Sequence, residues 1–147
     1  MNVLVDTSIW SLAFRRPSGT VSSQEKALVS SLANLIDELR VVLIGPIRQE
    51  ILSGIADEKQ FTCLQEKLSA FDDLPITTQD YASAAAFYNT CRKAGIQGSH
   101  IDFLKCAVAS RNELLIFTRD RDFDTYSKFP DIELYSPPKE TRRHQSR

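Results

Sequence analysis

The chain has 147 residues, 42% of them apolar and 25% charged, with a formal net charge of −1. That is about one domain's length with ordinary globular usage, which excludes collagen-like, low-complexity and wholly disordered chains. No apolar run approaches the ~18 residues of a membrane-spanning helix, and no basic leader precedes Asp6, so neither a membrane segment nor a secretory signal is expected.

Val3–Val5 is a short apolar run ending at Asp6 and predicts a buried strand. Ser22-x-x-Glu25 is a capping box ahead of a helical stripe of Leu28, Leu32, Leu35 and Leu39. Val41–Ile44 predicts a second strand. Gly45-Pro46 starts the next helix, proline being tolerated in a first turn, and Ile47, Ile51 and Ile55 stack along it. Glu50 is placed in the first turns of that helix. Phe61, Leu64, Leu68 and Phe71 mark another helix, and Leu74–Ile76 a short edge strand. Thr77-x-x-Asp80 is a second capping box, and its helix, carrying Tyr81, Ala84, Ala85, Tyr88 and Cys91, ends at Gly95. Gly98-Ser99 opens a helix with Ile101, Leu104, Ala107 and Val108 on one face. Leu114–Phe117 is the third strong strand, followed by a polar turn and a last strand at Ile132–Tyr135.

Strands alternating with helices predict an α/β domain over residues 1–136, its mostly parallel central sheet flanked by helices on both faces. Residues 137–147 read as a basic tail: Lys139–Arg147 holds four Lys/Arg against Glu140, leaving about −4 on the rest. Cys63, Cys91 and Cys106 are odd in number, lack CxxC spacing and fall in apolar helical patterns. They read as small hydrophobes in a reducing cytoplasm.

Ligands of parallel sheets bind beyond the carboxyl ends of the strands, and there the acids gather. Asp6 follows the first strand, Glu50 the second, and Asp120 and Asp122 the third; Asp102 lies in the first turn of the helix opened by Gly98-Ser99. Carboxylates packed together raise one another's pKa, a penalty that divalent cations remove. All-oxygen ligation points to a hard ion, Mg²⁺ or Mn²⁺. Each acid has a plainer reading: Asp6 as a strand end, Glu50 as a helix-dipole carboxylate, Asp102 as the acid of a capping box, Asp120 and Asp122 as a solvated turn paired with Arg119 and Arg121. It is the set that carries the argument. His100 reads as structural, Trp10 and Phe14 as core or subunit contacts, and no nucleophile elbow or glycine-rich phosphate loop is present.

Four stretches carry a family resemblance: Val3-Leu4-Val5-Asp6-Thr7-Ser8-Ile9-Trp10, Gly45–Gly54 around Glu50, Ile101–Ala109 around Asp102, and Leu115–Phe123 around Asp120. In order and spacing the sequence resembles a PIN domain, specifically a VapC-type toxin ribonuclease of a bacterial type II toxin–antitoxin pair. The resemblance implies an acidic quartet of Asp6, Glu50, Asp102 and Asp120, with Asp122 auxiliary and Ser8 and Thr118 as supporting hydroxyls. It further implies one or two Mg²⁺ or Mn²⁺ ions, hydrolysis of a transfer or ribosomal RNA, a homodimer, and silencing by a small VapB-like antitoxin. Arg15, Arg16, Lys105, Arg119 and Arg121 are candidates for flanking RNA-backbone contacts. The alternatives are a PIN-like or receiver-like binding module without catalysis, and a metal-dependent phosphatase of the haloacid dehalogenase type. The phosphatase is disfavoured by Ser8, which stands where that family sets its second aspartate.

Overall fold

The first apolar run forms β1 (Val3–Val5), fully buried, and it lies at the centre of a four-stranded sheet. Its neighbours are β2 (Val41–Val42) and β3 (Leu115–Phe117); β4 (Glu133–Leu134) completes the order β2-β1-β3-β4. Every pairing is parallel, with Val3 opposite both Val41 and Leu115. The computed structural model describes residues 1–14, 22–128 and 131–138. Among them seven helices connect and cover the sheet: α1 (Thr7–Phe14), α2 (Ser23–Asp37), α3 (Gly45–Leu52), α4 (Glu58–Leu68), α5 (Thr78–Lys93), α6 (His100–Arg111) and α7 (Asp122–Tyr126). Parallel neighbours require crossovers, and these helices supply them. None of them is long and apolar enough to cross a membrane.

Local chemistry sets most boundaries. Both capping boxes form in full, Ser22 with Glu25 and Thr77 with Asp80. Pro46 stands in the first turn of α3. Gly95 ends α5 at φ +79°, in the left-handed region that glycine enters without a Cβ penalty. Asp80 has a further task. Its carboxylate accepts two bonds from Arg111, at 2.6 and 2.9 Å, clamping the last turn of α6 to the first turn of α5. Arg48 similarly ties α3 to the end of α4 and the segment after it, through the carbonyls of Leu68 and Phe71 and the carboxylate of Asp73.

The core is one cluster around β1 and β3, including Trp10, Leu35, Ile47, Leu68, Phe103, Phe117, Phe123 and Tyr126. Several expectations change. The stripe on α2 stops at Leu35, and Leu39, with φ +58°, is 89% exposed beyond the helix end. Strand β2 is two residues long because Ile44 already caps α3, and the expected strand at Leu74–Ile76 is a single parallel bridge between Leu43 and Asp73. Ile55 lies past the end of α3. Ile101 and Cys63 are exposed, whereas Cys91 and Cys106 are buried. The expected polar turn after β3 contains α7. The expected tail lies outside the described residues from position 139 onward, as do Arg15 and Arg16.

Candidate active site

Asp6 is the first residue past β1, and its backbone N–H still pairs with the Phe117 carbonyl at 2.8 Å, so the sheet register sets it beside Thr118. Its own carbonyl starts α1, accepting from Ile9 and Trp10. The side chain is thereby held at a helix N-terminus, where negative charge is favoured. It is 5% exposed, and a charge that deep needs partners. Oδ2 accepts from the hydroxyls of Ser8 and Thr118, both at 2.8 Å, and Oδ1 accepts from the Lys105 ammonium at 2.7 Å.

Lys105 is the residue whose role the sequence concealed. It is 3% exposed, and its Nζ lies 2.7 Å from Asp6, 2.8 Å from Glu50 Oε1 and 3.9 Å from Asp102 Oδ1. The expectation of a flanking RNA-backbone contact is corrected here. From Phe103 to Ala109 every residue of α6 is buried, so no solvent face exists along which the side chain could run outward. One helical turn from Asp102, it turns into the acids instead.

Glu50 is the sixth of the eight residues of α3, in its second and last turn, and it is therefore not a dipole carboxylate, since that end of a helix disfavours an anion. Its Oε1 accepts from Thr7 Oγ1 at 2.6 Å as well as from Lys105, and its side chain keeps 40% of its surface exposed. Thr7 stands in the first motif, but its contact with Glu50, 43 residues away, has no signal in the sequence. Asp102 donates its backbone N–H to Ser99 Oγ at 3.0 Å. The reciprocal half of a capping box does not form, unlike in α2 and α5. Its carboxylate faces Lys105 and accepts from Tyr126 Oη at 3.4 Å. Tyr126 belongs to α7, too short to show a period, and no sequence signal pointed to it. Asp120 donates its N–H to Thr118 Oγ1 at 3.0 Å and accepts from the N–H of Asp122 at 2.9 Å, which opens α7. Arg119 pairs with Glu25 of α2 rather than with the acids, and Arg121 is exposed.

Burial alone would raise the Asp6 pKa; the Lys105 ammonium and the bonds from Lys105, Ser8 and Thr118 outweigh it and hold the carboxyl below its ordinary range. Lys105 shows the converse, with burial opposed and exceeded by Asp6 and Glu50, so it remains a cation. Asp102 is pushed up, by burial first and then by the charges of Asp6 and Asp120, which Lys105 offsets only in part. Three carboxylates, one just past β1 and the others from α3 and α6, thus converge on one ammonium, and Asp120 stands close enough to be felt by Asp102.

In donor chemistry the set fits a hard divalent cation, being all oxygen and strongly anionic. Asp6, Glu50, Asp102 and Asp120 would hold it. As the side chains stand, however, no group of three His, Cys, Asp or Glu among the described residues is arranged around an ion. The Lys105 ammonium takes the ground between Asp6 and Glu50.

Comparison with known proteins identifies the family. The PIN domain family model matches residues 3–128. The VapC ribonuclease Mb1587 of Mycobacterium bovis is 31% identical over 136 residues, covering 91% of this chain and 98% of the relative. Ribonuclease VapC11 of Mycobacterium tuberculosis matches to the same extent. Among solved structures, FitAcB from Neisseria gonorrhoeae superposes with a TM-score of 0.71 at 23% identity, covering 92% of this chain and 97% of that one. VapBC2 from Rickettsia felis, bound to a promoter DNA fragment, gives 0.72 at 14%, covering 92% and 98%. With strand-end carboxylates gathered at one edge of a parallel sheet, and a family match spanning nearly the whole described chain, this protein belongs to the PIN domain family.

Proposed function

We propose that the chain is a VapC-type endoribonuclease toxin that hydrolyses phosphodiester bonds of transfer or ribosomal RNA in the cytoplasm, depends on Mg²⁺ or Mn²⁺, and acts as a homodimer until a small cognate antitoxin silences it. The observation that carries this reading is the convergence of Asp6, Glu50 and Asp102 on one cation beyond the carboxyl ends of the strands. The names of the ribonuclease relatives and of the toxin–antitoxin neighbours support it.

One or two divalent ions bound there supply charge neutralisation at the phosphoryl group and acidify water. The chain's own groups do the rest. Ser8 and Thr118 fix Asp6, so the most buried acid needs no reorganisation during reaction. Glu50, half open to solvent and anchored by Thr7, takes the proton of the attacking water as general base. The water oxygen bonds to phosphorus, the bond to the 3′ oxygen breaks, and that oxygen takes a proton from solvent. The products are a 5′-phosphate and a 3′-hydroxyl. Arg119 and Arg121, on the turn entering α7, flank the acids and contact the RNA backbone.

The test is cleavage of end-labelled transfer RNA by the purified protein with Mg²⁺ or Mn²⁺. Cleavage that stops in excess EDTA and in Asp120→Asn supports the reading; equal cleavage in EDTA removes the ion from it. The ammonium inside the acid cluster favours a second reading, a PIN module that binds without cutting, and RNA left intact by protein that binds it would select that one.

A further inference from the structure

The acids are already served by a cation of the chain itself, and the inference drawn here rests on reading those acids as a divalent-ion site. Lys105 Nζ makes its shortest contacts to Asp6 and Glu50, which come from different elements 44 residues apart in sequence, and it also faces Asp102. Its helix is buried from Phe103 to Ala109, so with no ion bound the ammonium is held among these carboxylates, and the open side of the site beside Glu50 is where it can move when displaced. We propose that Lys105 is a resident cation of the site: with no divalent ion bound it holds Asp6 and Glu50 together, and an incoming ion must displace it to engage those two carboxylates.

The argument is one of charge and space. The ammonium, 2.7 Å from Asp6 Oδ1 and 2.8 Å from Glu50 Oε1, occupies the space between the two carboxylates that a divalent ion held by both would need. Two cations cannot share that ground without strong mutual repulsion. The acids therefore stay folded together without metal, and ion affinity becomes the difference between ion binding and release of the ammonium. Binding of one cation then lowers the affinity of the site for the other, as reciprocal coupling requires. Lys105 is a positioning residue on this account, and ribonuclease activity alone would not reveal its role.

The experiment measures Mn²⁺ binding to the full chain by the loss of the free-ion electron paramagnetic resonance signal, alongside thermal unfolding in EDTA and in Mn²⁺. Lys105→Met keeps the length of the side chain and removes the charge. It is expected to bind Mn²⁺ about 5–150-fold more tightly than the natural chain, the range of ordinary site-to-site coupling. It should also melt lower in EDTA and gain more from Mn²⁺. Lys105→Arg, which keeps the charge, is expected to stay weak. Equal affinity in Lys105→Met and the natural chain overturns the proposal while leaving the ion reading intact, whereas no binding to either removes the ion reading and this inference with it. Should Lys105→Met not fold even with Mn²⁺, the natural chain decides the matter by itself. The ¹⁵N-detected Lys105 ammonium signal, protected in EDTA, should lose its protection at saturating Mg²⁺, and its persistence there would overturn the proposal.

Discussion

Asp6→Asn is the substitution by which loss of the proposed activity would usually be tested, and the structure says it will not be silent in the fold. The carboxylate it replaces is 5% exposed and accepts from Lys105, Ser8 and Thr118. An amide offers one acceptor oxygen in place of two charged ones. With that oxygen on Lys105, its NH₂ faces two hydroxyls that already accept from the N–H groups of Arg119 and Asp120. The ammonium loses its most buried counter-charge. Breaking one partner of such a pair costs about 3–5 kcal/mol, a large share of the roughly 5–15 kcal/mol that a domain has in total. At about 2–4 °C per kcal/mol for a chain of this size, the melting temperature should fall by roughly 6–20 °C. Asp120→Asn is the contrasting variant: the residue is exposed, and Asn accepts the Asp122 N–H equally well. It should cost less than about 0.5 kcal/mol while losing RNA cleavage. Urea unfolding of both, with slope and midpoint fitted separately, gives the comparison. The double variant Asp6→Asn/Lys105→Met should lose less than the sum of the single changes. Asp6→Asn within about 0.5 kcal/mol of the natural chain would refute the claim that the Asp6–Lys105 pair is a buried element of the fold.

Gly98 packs against the side chains that serve Asp102. A Cβ there would lie 2.7 Å from the Phe103 ring and 2.8 Å from Tyr126 Oη, both in the core. Gly98→Ala should cost about 1–3 kcal/mol in urea unfolding and, by shifting Tyr126 off Asp102, lower RNA cleavage as well. Thr118→Val removes a donor to Asp6 and leaves the Asp120 N–H without its acceptor; a loss of about 1–3 kcal/mol is expected by the same measurement. Acid unfolding tests the α5–α6 clamp. Hydrogen bonds from Arg111 and, against the opposing effect of burial, the Thr77 backbone hold the Asp80 carboxyl below its ordinary value. That contribution is therefore complete above the unfolded value near 3.9 and is lost as pH falls through the lower folded value. Asp80→Asn should cost about 2–3 kcal/mol at pH 7 and flatten the dependence of stability on pH below about 4.

The features legible from residues alone are local or periodic. The two complete capping boxes, the proline start of α3, the glycine end of α5 and the apolar runs of β1 and β3 depend on neighbours within a few residues, and they form as expected. The acids placed after the strands follow from the same reading, since parallel strands bring their carboxyl ends to one edge. Tertiary structure decided the rest. Helix α7 is five residues long and held by Phe123 and Tyr126 in the core, not by any period of its own. Glu50 is at the wrong end of α3 for a dipole partner and is stabilised across 55 residues by Lys105. Lys105 itself is legible only in three dimensions. A lysine is expected at the surface unless a charge draws it inward, and here the enclosure of α6 and the carboxylates of two distant segments turn its ammonium into the site.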